Sequence, residues 1–319
     1  MEICMIDVII PAHEKDSDTL ELCIAGAKKN VKGVENVYVI SKDKLTDSAT
    51  WFPESELPFS LQDVGDKIGM HWRTCWYYAD LLEGCSSVYL NGPSDYTLIL
   101  DADTVFLRPV SLIEDGKALL NSSPSDGTPV YYEYIQRLIQ DSPVYLHNDF
   151  TSGITHWILQ EKSIVSDMMM RVQNLHGKPF WEAALDVTCE KYESLTDNNH
   201  ETCAGKMASF ELYFNYVLKY HPDRAKIKNQ KSILAYKETL GHEGYTRRHK
   251  SRTNSGEIDI LSQEERFLLE LEKFSSVSEA MKHACDLCAK KGWRVMTFQG
   301  HFWKESQEYK DIHNDYISS

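Results

Sequence analysis

The sequence predicts an α/β protein with a mainly parallel central sheet flanked by helices. The chain opens with an apolar strand pattern at Ile6–Pro11, continues with an amphipathic helix pattern over residues 19–29, and returns to a strand pattern over residues 37–40. The order strand, helix, strand is typical of a parallel sheet. A further apolar run, Tyr96–Leu100, predicts another strand. Because ligands bind such sheets where the strands end, the residues that follow these strands are the first candidates for a site.

The rest of the chain alternates helix and strand patterns. Residues 45–65 are predicted to be irregular, and residues 66–83 to form a helix, since apolar side chains there recur at helical spacing. Later helices are predicted over residues 161–175, 179–189, 208–220 and 278–291, later strands over residues 129–134, through Trp157, and over 232–236 and 293–298, and loops over residues 121–128 and 192–205. A capping box at residues 262–265 predicts one more helix, which ends near residue 274.

Composition excludes several classes of protein. Hydrophobic residues make up 42% of the 319 residues and charged residues 26%, which is typical of a globular chain and not of a disordered or membrane-embedded one. The net charge of −14 argues against nonspecific binding to nucleic acid, because clustered Lys and Arg hold a phosphate backbone. No stretch approaches the ~18 apolar residues of a membrane helix. An anionic ligand would therefore need a local basic pocket or a metal ion.

The cysteines predict a reducing compartment. Eight cysteines are scattered without the dense spacing of a disulfide scaffold, and the first residues lack the pattern of a signal peptide. We therefore expect a cytoplasmic protein. Cys285 and Cys288 form a C-x-x-C within a helical pattern, and no second Cys or His pair follows at zinc-finger spacing. Core packing is the preferred interpretation of that pair.

Two aspartates follow the strand at Tyr96–Leu100. Asp101 and Asp103 are separated by one residue, so both carboxylates can leave the same face of an extended chain. Two hard oxygen ligands at a strand end suit Mg²⁺ or Mn²⁺. The alternative is a strand that finishes in a polar Asp-rich turn. Five uncharged strand-forming residues precede the pair, and aromatic residues and a proline follow, which favours the metal site.

An ordered set of motifs surrounds this pair. They are Pro11-Ala12-His13 after the first strand, a Trp-Tyr-Tyr helix at residues 76–78, a hydrophobic run into Asp101-Ala102-Asp103-Thr104-Val105-Phe106-Leu107-Arg108-Pro109, His147-x-x-Phe150-Thr151-Ser152-Gly153, and Phe210-Glu211-Leu212-Tyr213. Over roughly residues 5–220 the chain resembles the metal-dependent glycosyltransferases of the GT-A fold. Within them it is similar to a group of small bacterial and viral glycosyltransferase-like proteins, some from large algal viruses.

The resemblance implies one GT-A-like domain over residues 1–319. Residues 1–120 would form the half that binds the nucleotide sugar, and residues 121–319 the acceptor-binding half with the C-terminal helices. It also implies transfer of a hexose or pentose from a UDP-sugar donor to an oligosaccharide or glycoconjugate acceptor, with Mn²⁺ or Mg²⁺ as cofactor. The sugar, the acceptor and the stereochemical course are left open.

The resemblance also assigns roles around the metal. Asp103 would be the direct ligand, while Asp101 would contact the ribose, or the metal through water, with Ala102 between them. Pro11, Ala12 and His13 would line the nucleotide site. His301 is the first choice for a third metal ligand and His242 the second. The residues alone suggest Arg73 as a phosphate or substrate contact, with an exposed ion pair as an equally good alternative.

An inverting transferase also needs a carboxylate base that takes a proton from the acceptor hydroxyl. The resemblance implies Glu211 for this role, and Asp149 is the rival. A glutamate in the first turn of a helix is also favoured by the helix dipole, whatever its function. Retaining members of the fold require no such base.

Two other functions are compatible with the Asp pair. A phosphatase of the haloacid-dehalogenase type has a strand followed by Asp-x-Asp, and its first Asp is the nucleophile. That fold needs a late strand ending in a further Asp pair, and none of the predicted late strands ends in one. The other possibility is an inactive domain that binds a sugar or nucleotide, against which the intact pair argues.

Overall fold

The computed structural model of the protein describes residues 4–69, 74–90, 92, 94–122, 129–143, 152–189, 207–237, 251–253, 256–258, 265–269 and 273–298. The strands in chain order are β1 Ile6–Pro11, β2 Val34–Ser41, β3 Thr50–Pro53, β4 Tyr96–Leu100, β5 Thr104–Phe106, β6 Ile113–Glu114, β7 Lys117–Leu120, β8 Trp157–Glu161, β9 Ala225–Ile227, β10 Ser232–Lys237, β11 Ser251–Thr253, β12 Gly256–Ile258, β13 Glu265–Leu269 and β14 Val295–Phe298. The α-helices are α1 Ser17–Asn30, α2 Leu61–Ile68, α3 Thr74–Tyr89, α4 Pro129–Ile139, α5 Lys162–His176, α6 Phe180–Cys189, α7 Ser209–Tyr220 and α8 Val277–Lys290.

The central sheet confirms the predicted α/β architecture. Its strands lie in the order β3-β2-β1-β4-β8. All neighbours pair in parallel except β4 and β8, which are antiparallel. All five residues of β4 are buried, because the sheet is covered on both faces. The carboxyl ends of β1, β2 and β4 therefore meet at one edge, where the Asp pair follows β4.

A second sheet begins immediately after the Asp pair in the chain and contacts it. Its order is β13-β10-β14-β5, and β5 starts one residue after Asp103. Helix α8 packs on it, with buried apolar residues such as Met281 and Cys285 facing the sheet residues Ile233 and Met296 in one buried cluster. Cys285 and Cys288 both lie buried in this cluster, which confirms their predicted packing role.

Two predicted elements are wrong in type. The aromatic run predicted as a strand over residues 129–134 lies in helix α4, which begins at Pro129. Proline suits the first position of a helix, and the buried residues Tyr132, Ile135 and Ile139 recur at helical spacing. The helix predicted from the capping box at residue 262 to residue 274 is also wrong over its described part. Strand β13 lies there and pairs in parallel with β10. The prediction fails because a short apolar run is compatible with both a helix and a strand.

One predicted helix is divided in two. The helical pattern predicted over residues 66–83 falls on the end of α2 and on most of α3. Gly69 follows α2 with a φ of 82°, a backbone conformation that glycine adopts without strain. Ser60 caps the start of α2 with a capping box to Asp63, so a helix begins inside the region predicted to be irregular.

Candidate metal centre

Asp101 lies opposite His156 at the edge of the central sheet. The antiparallel pairing of β4 and β8 joins Leu100 to Trp157. Asp101, which follows Leu100, therefore faces His156, which precedes Trp157. The backbone N–H of Asp101 donates to the carbonyl oxygen of His156 at 3.1 Å. The side chains meet as well, with 3.0 Å between Nδ1 of His156 and Oδ2 of Asp101.

Asp103 is held from the other side by the second sheet. The backbone N–H of Phe298, at the end of β14, donates to the carbonyl oxygen of Asp103 at 2.8 Å. The hydroxyls of Thr104 and Thr297 lie 2.8 Å apart in the buried interface between β5 and β14. The N–H of Thr104 also donates to the carbonyl oxygen of Asp101 at 3.0 Å, which closes the turn between the two aspartates.

Asp101, Asp103 and His156 together form a three-ligand group. One ligand atom from each lies within 4.8 Å of the other two, and all three side chains are partly exposed. Carboxylate oxygens suit Mg²⁺ and Mn²⁺, and an imidazole nitrogen extends the range to other first-row divalent ions. This donor set fits the metal that the sequence predicts, and the histidine shifts the preference from Mg²⁺ toward Mn²⁺. Ala102, between the aspartates, is 7% exposed and packs into the core.

His156 is the residue that sequence reasoning missed. It belongs to none of the motifs, and 55 residues separate it from Asp101. Its only signal in the sequence is its position just before the apolar run at Trp157, and that signal has meaning only if this strand pairs antiparallel with the strand of the Asp pair.

Further ionisable groups lie behind the metal centre. The buried thiol of Cys23, on α1, donates a hydrogen bond to the carbonyl oxygen of Asp101 at 3.5 Å. Burial raises the pKa of Cys23 well above its usual value, and the charges of Asp103 and Asp101 add to this rise. On α3, burial raises the pKa of Glu83, and the charges of Asp101 and Asp80 raise it further. The raised pKa values keep these two groups neutral, so the negative charge that a cation would meet here comes from the two aspartates.

Asp80 is the buried carboxyl of this region with a pKa near neutrality. Burial raises its pKa to about 7, and the charge of Asp101 contributes, while hydrogen bonds from Ser209 oppose the rise. The N–H and the hydroxyl of Ser209 lie 3.1 and 2.9 Å from Oδ1 of Asp80. The same hydroxyl is 3.0 Å from Oε2 of Glu83, so the start of α7 is fixed to α3 by these acids.

Asp80→Asn is expected to flatten the dependence of stability on pH. The folded-state pKa of about 7 lies above the unfolded value of 3.8, so the folded chain binds this proton more tightly. The resulting stabilisation is full below the unfolded pKa, declines as the pH rises, and is lost above about pH 7. Urea unfolding at pH 5 and pH 8 should show that the wild type loses about 2–4 kcal/mol more than the variant between these pH values. Equal losses in both proteins would contradict the raised pKa.

The segment after β1 lies at the same edge of the sheet. The N–H of Ala12 donates to the carbonyl oxygen of Ile40 at 2.9 Å, which continues the pairing of β1 with β2. His13 caps the short 3₁₀ helix Glu14–Asp16, and its Nδ1 accepts from the N–H of Lys15 at 3.3 Å. Pro11, Ala12 and His13 are partly exposed, and their predicted contact with a nucleotide stays a prediction.

Glu211 is 0% exposed and lies in the first turn of α7. Its Oε2 accepts hydrogen bonds from the Ser152 hydroxyl and from the N–H of Gly153, the latter at 2.8 Å. Its Oε1 accepts from the side chain of Asn215 at 2.6 Å. Burial raises the pKa of Glu211, and these hydrogen bonds oppose the rise. Its role as a base stays a prediction.

Four residues singled out by the sequence lie outside the described residues: Arg73, Asp149, His242 and His301. Their roles stay predictions.

Solved structures include neighbours of low similarity to this chain. The apo form of mouse xyloside xylosyltransferase 1 resembles this chain with a TM-score of 0.38 and 10% sequence identity, over 73% of this chain and 87% of that chain. This likeness is too low to carry an argument about function. No protein-family model matches the sequence, and no curated protein matches it. Among the described helices, none is both long enough and apolar enough to cross a membrane.

Proposed function

We propose that this protein is a divalent-metal-dependent glycosyltransferase of GT-A type. Its donor would be a nucleotide-diphospho-sugar, UDP-linked and carrying a hexose or pentose, and its acceptor an oligosaccharide or glycoconjugate. The observation that carries the proposal is the convergence of Asp101, Asp103 and His156 within 4.8 Å at the carboxyl end of a central strand. The motifs around Asp101 and Asp103, in the order described above, support it.

The reaction explains why such a ligand group is needed. When the bond between the sugar and the diphosphate breaks, negative charge builds up on the departing nucleoside diphosphate. A divalent ion held at this site supplies a positive charge that stabilises this leaving group. In a chain of net charge −14, a metal is also the simplest means of binding a diphosphate.

The protein's own residues would bind the ion, the nucleoside and the acceptor and orient them for the reaction. The two aspartates and His156 would hold the ion where β4 ends. The turn between β4 and β5 fixes the spacing of the aspartates through the hydrogen bond between Thr104 and Asp101. Pro11 to His13 lie at the end of the neighbouring strand β1, where the nucleoside would bind. Residues from the second half of the chain, with Glu211 or Asp149 as candidate base, would receive the acceptor.

Calorimetric titration with UDP, in the presence and absence of Mn²⁺, tests this function. We expect UDP to bind only when Mn²⁺ is present, and a UDP-sugar to be hydrolysed or transferred once a suitable acceptor is supplied. The competing phosphatase would instead release phosphate from p-nitrophenyl phosphate in the presence of Mg²⁺. Such release without any binding of UDP would overturn the proposal. Binding of UDP without turnover on a panel of UDP-hexoses and UDP-pentoses would identify a binding domain instead of an enzyme.

A further inference from the structure

We infer that Glu211 is a positioning residue for the metal centre, which fixes the turn at residues 152–154 and thereby holds His156 against Asp101. The inference rests on the metal centre of the proposed function and departs from the role of Glu211 as a base. It needs no contact between Glu211 and a substrate. It assigns the carboxylate to the folded scaffold that determines where the third ligand lies.

The contacts of Glu211 are those of an anchor. Both of its oxygens accept hydrogen bonds, Oε2 from Ser152 and Gly153 and Oε1 from Asn215. The Ser152 hydroxyl in turn accepts from the N–H of Ile154 at 3.1 Å, so the carboxylate organises three consecutive residues of the turn. Burying a carboxylate is costly unless several donors stabilise the charge, and here the donors come from this turn and from α7 itself.

Close packing keeps the same turn against α7. A Cβ atom on Gly153 would lie 2.3 Å from the Cβ of Phe214 and 3.1 Å from the carbonyl oxygen of Phe210. The backbone at Gly153 therefore lies directly on the helix that carries Glu211. Hydrogen bonds to Glu211 therefore fix the turn, and the close approach of Gly153 to Phe214 leaves no space for a side chain there.

The short distance along the chain transmits this constraint to the metal ligand. His156 is three residues after Gly153 and one before Trp157, the first residue of β8. On its far side, the backbone is fixed by the pairing of β8 with β4. On its near side, the hydroxyl of Thr155 donates to the carbonyl oxygen of Trp157 at 2.8 Å, and the turn held by Glu211 connects this segment to α7. Because the carbonyl oxygen of His156 stays bonded to the N–H of Asp101, we expect loss of that anchor to change the orientation of the imidazole while β8 stays paired.

Glutamine cannot replace this anchor. A Glu211→Gln side chain has one acceptor oxygen in place of two, and its NH₂ group would face a donor, either from the turn or from Asn215. We expect the affinity for Mn²⁺ to fall by about 10-fold, which is the size of effect seen when groups that orient metal ligands are lost. His156→Ala, which removes the ligand itself, should weaken binding by at least as much.

The experiment is a double-mutant cycle read by the electron paramagnetic resonance signal of free Mn²⁺, with no nucleotide sugar present. If Glu211 acts through His156, the double variant Glu211→Gln/His156→Ala should bind Mn²⁺ no more weakly than His156→Ala alone. Fully multiplicative losses would overturn the inference. Unchanged Mn²⁺ affinity in Glu211→Gln, with turnover lost, would also overturn it and support the role of a base.

Two further variants make the test robust. Glu161→Gln is the matched control, since Glu161 is a 4%-exposed glutamate at the other end of β8, paired with Arg224, and its loss should leave Mn²⁺ affinity unchanged. Ser152→Ala removes one donor to Glu211 and serves if Glu211→Gln does not fold. We expect a loss of about 3-fold or more, smaller than the ~10–100-fold seen when an orienting group is removed entirely, because Glu211 keeps its bonds to Gly153 and Asn215. No loss in Ser152→Ala would count against the inference. Because the readout is Mn²⁺ alone, absence of UDP binding would refute the proposed function without affecting this result.

Discussion

Asp103→Asn is expected to reduce Mn²⁺-dependent UDP affinity by more than about 100-fold, because the change removes a charged ligand itself and not merely a group that orients one. Asparagine has nearly the same shape, and the backbone of Asp103 is fixed independently by its hydrogen bond from Phe298. The fold should therefore persist while the charge at the metal is lost. Calorimetry with UDP at a Mn²⁺ concentration that saturates the wild type measures the effect.

A matched control separates this effect from a general change of charge. Asp223 is an exposed aspartate between α7 and β9, and Asp223→Asn should leave UDP binding unchanged. Unaltered Mn²⁺-dependent binding of UDP in Asp103→Asn would contradict a role of Asp103 as a metal ligand.

Variants of Asp101 and Asp103 distinguish the two reaction classes by the property that is lost, which is phosphate release in a phosphatase and metal-dependent UDP binding in a transferase. A phosphatase would depend first on Asp101 as its nucleophile, and its activity would vanish in Asp101→Asn. In a transferase, Asp101 contributes to the metal centre in two ways, as a carboxylate ligand and as the partner of His156 at 3.0 Å. Its loss therefore also removes one hydrogen-bond partner of the imidazole, so both aspartate variants should lose metal-dependent UDP binding.

Much of the fold follows from local sequence patterns. Strands β1, β4 and β14 are apolar runs bounded by proline, glycine or aspartate, and short continuous runs of this kind are typical of buried strands in a covered sheet. Helices such as α1 and α8 repeat their apolar residues at helical spacing. The Asp pair could be found because both of its residues lie within three positions along the chain.

What the sequence could not reveal depends on contacts between distant residues. His156 becomes a ligand candidate only through the antiparallel pairing of β8 with β4. The contact of Glu211 with Gly153 spans 58 residues, and neither of the two motifs that contain these residues reveals that they meet. Strand β13 and helix α4 were misjudged because short apolar or aromatic runs satisfy both periodicities, and the neighbouring elements decide between them.

Gly153→Ala is expected to destabilise the protein by about 1–3 kcal/mol or more, because the added methyl group has no space. The new Cβ would lie 2.3 Å from the Cβ and 2.6 Å from the Cγ of Phe214, on a buried face of α7. Gly153 has no positive φ, so the cost is steric and not conformational. Urea unfolding should show a lower midpoint with an unchanged slope.

The matched control is Gly84→Ala on α3. Its Cβ would lie 3.3 Å from the Cβ of Ser209 on α7, and the better helix propensity of alanine should offset that contact. Since a displaced turn would also move His156, Gly153→Ala should weaken Mn²⁺ binding and Gly84→Ala should not; equal effects of the two changes on both stability and Mn²⁺ affinity would contradict the close packing of the turn on α7.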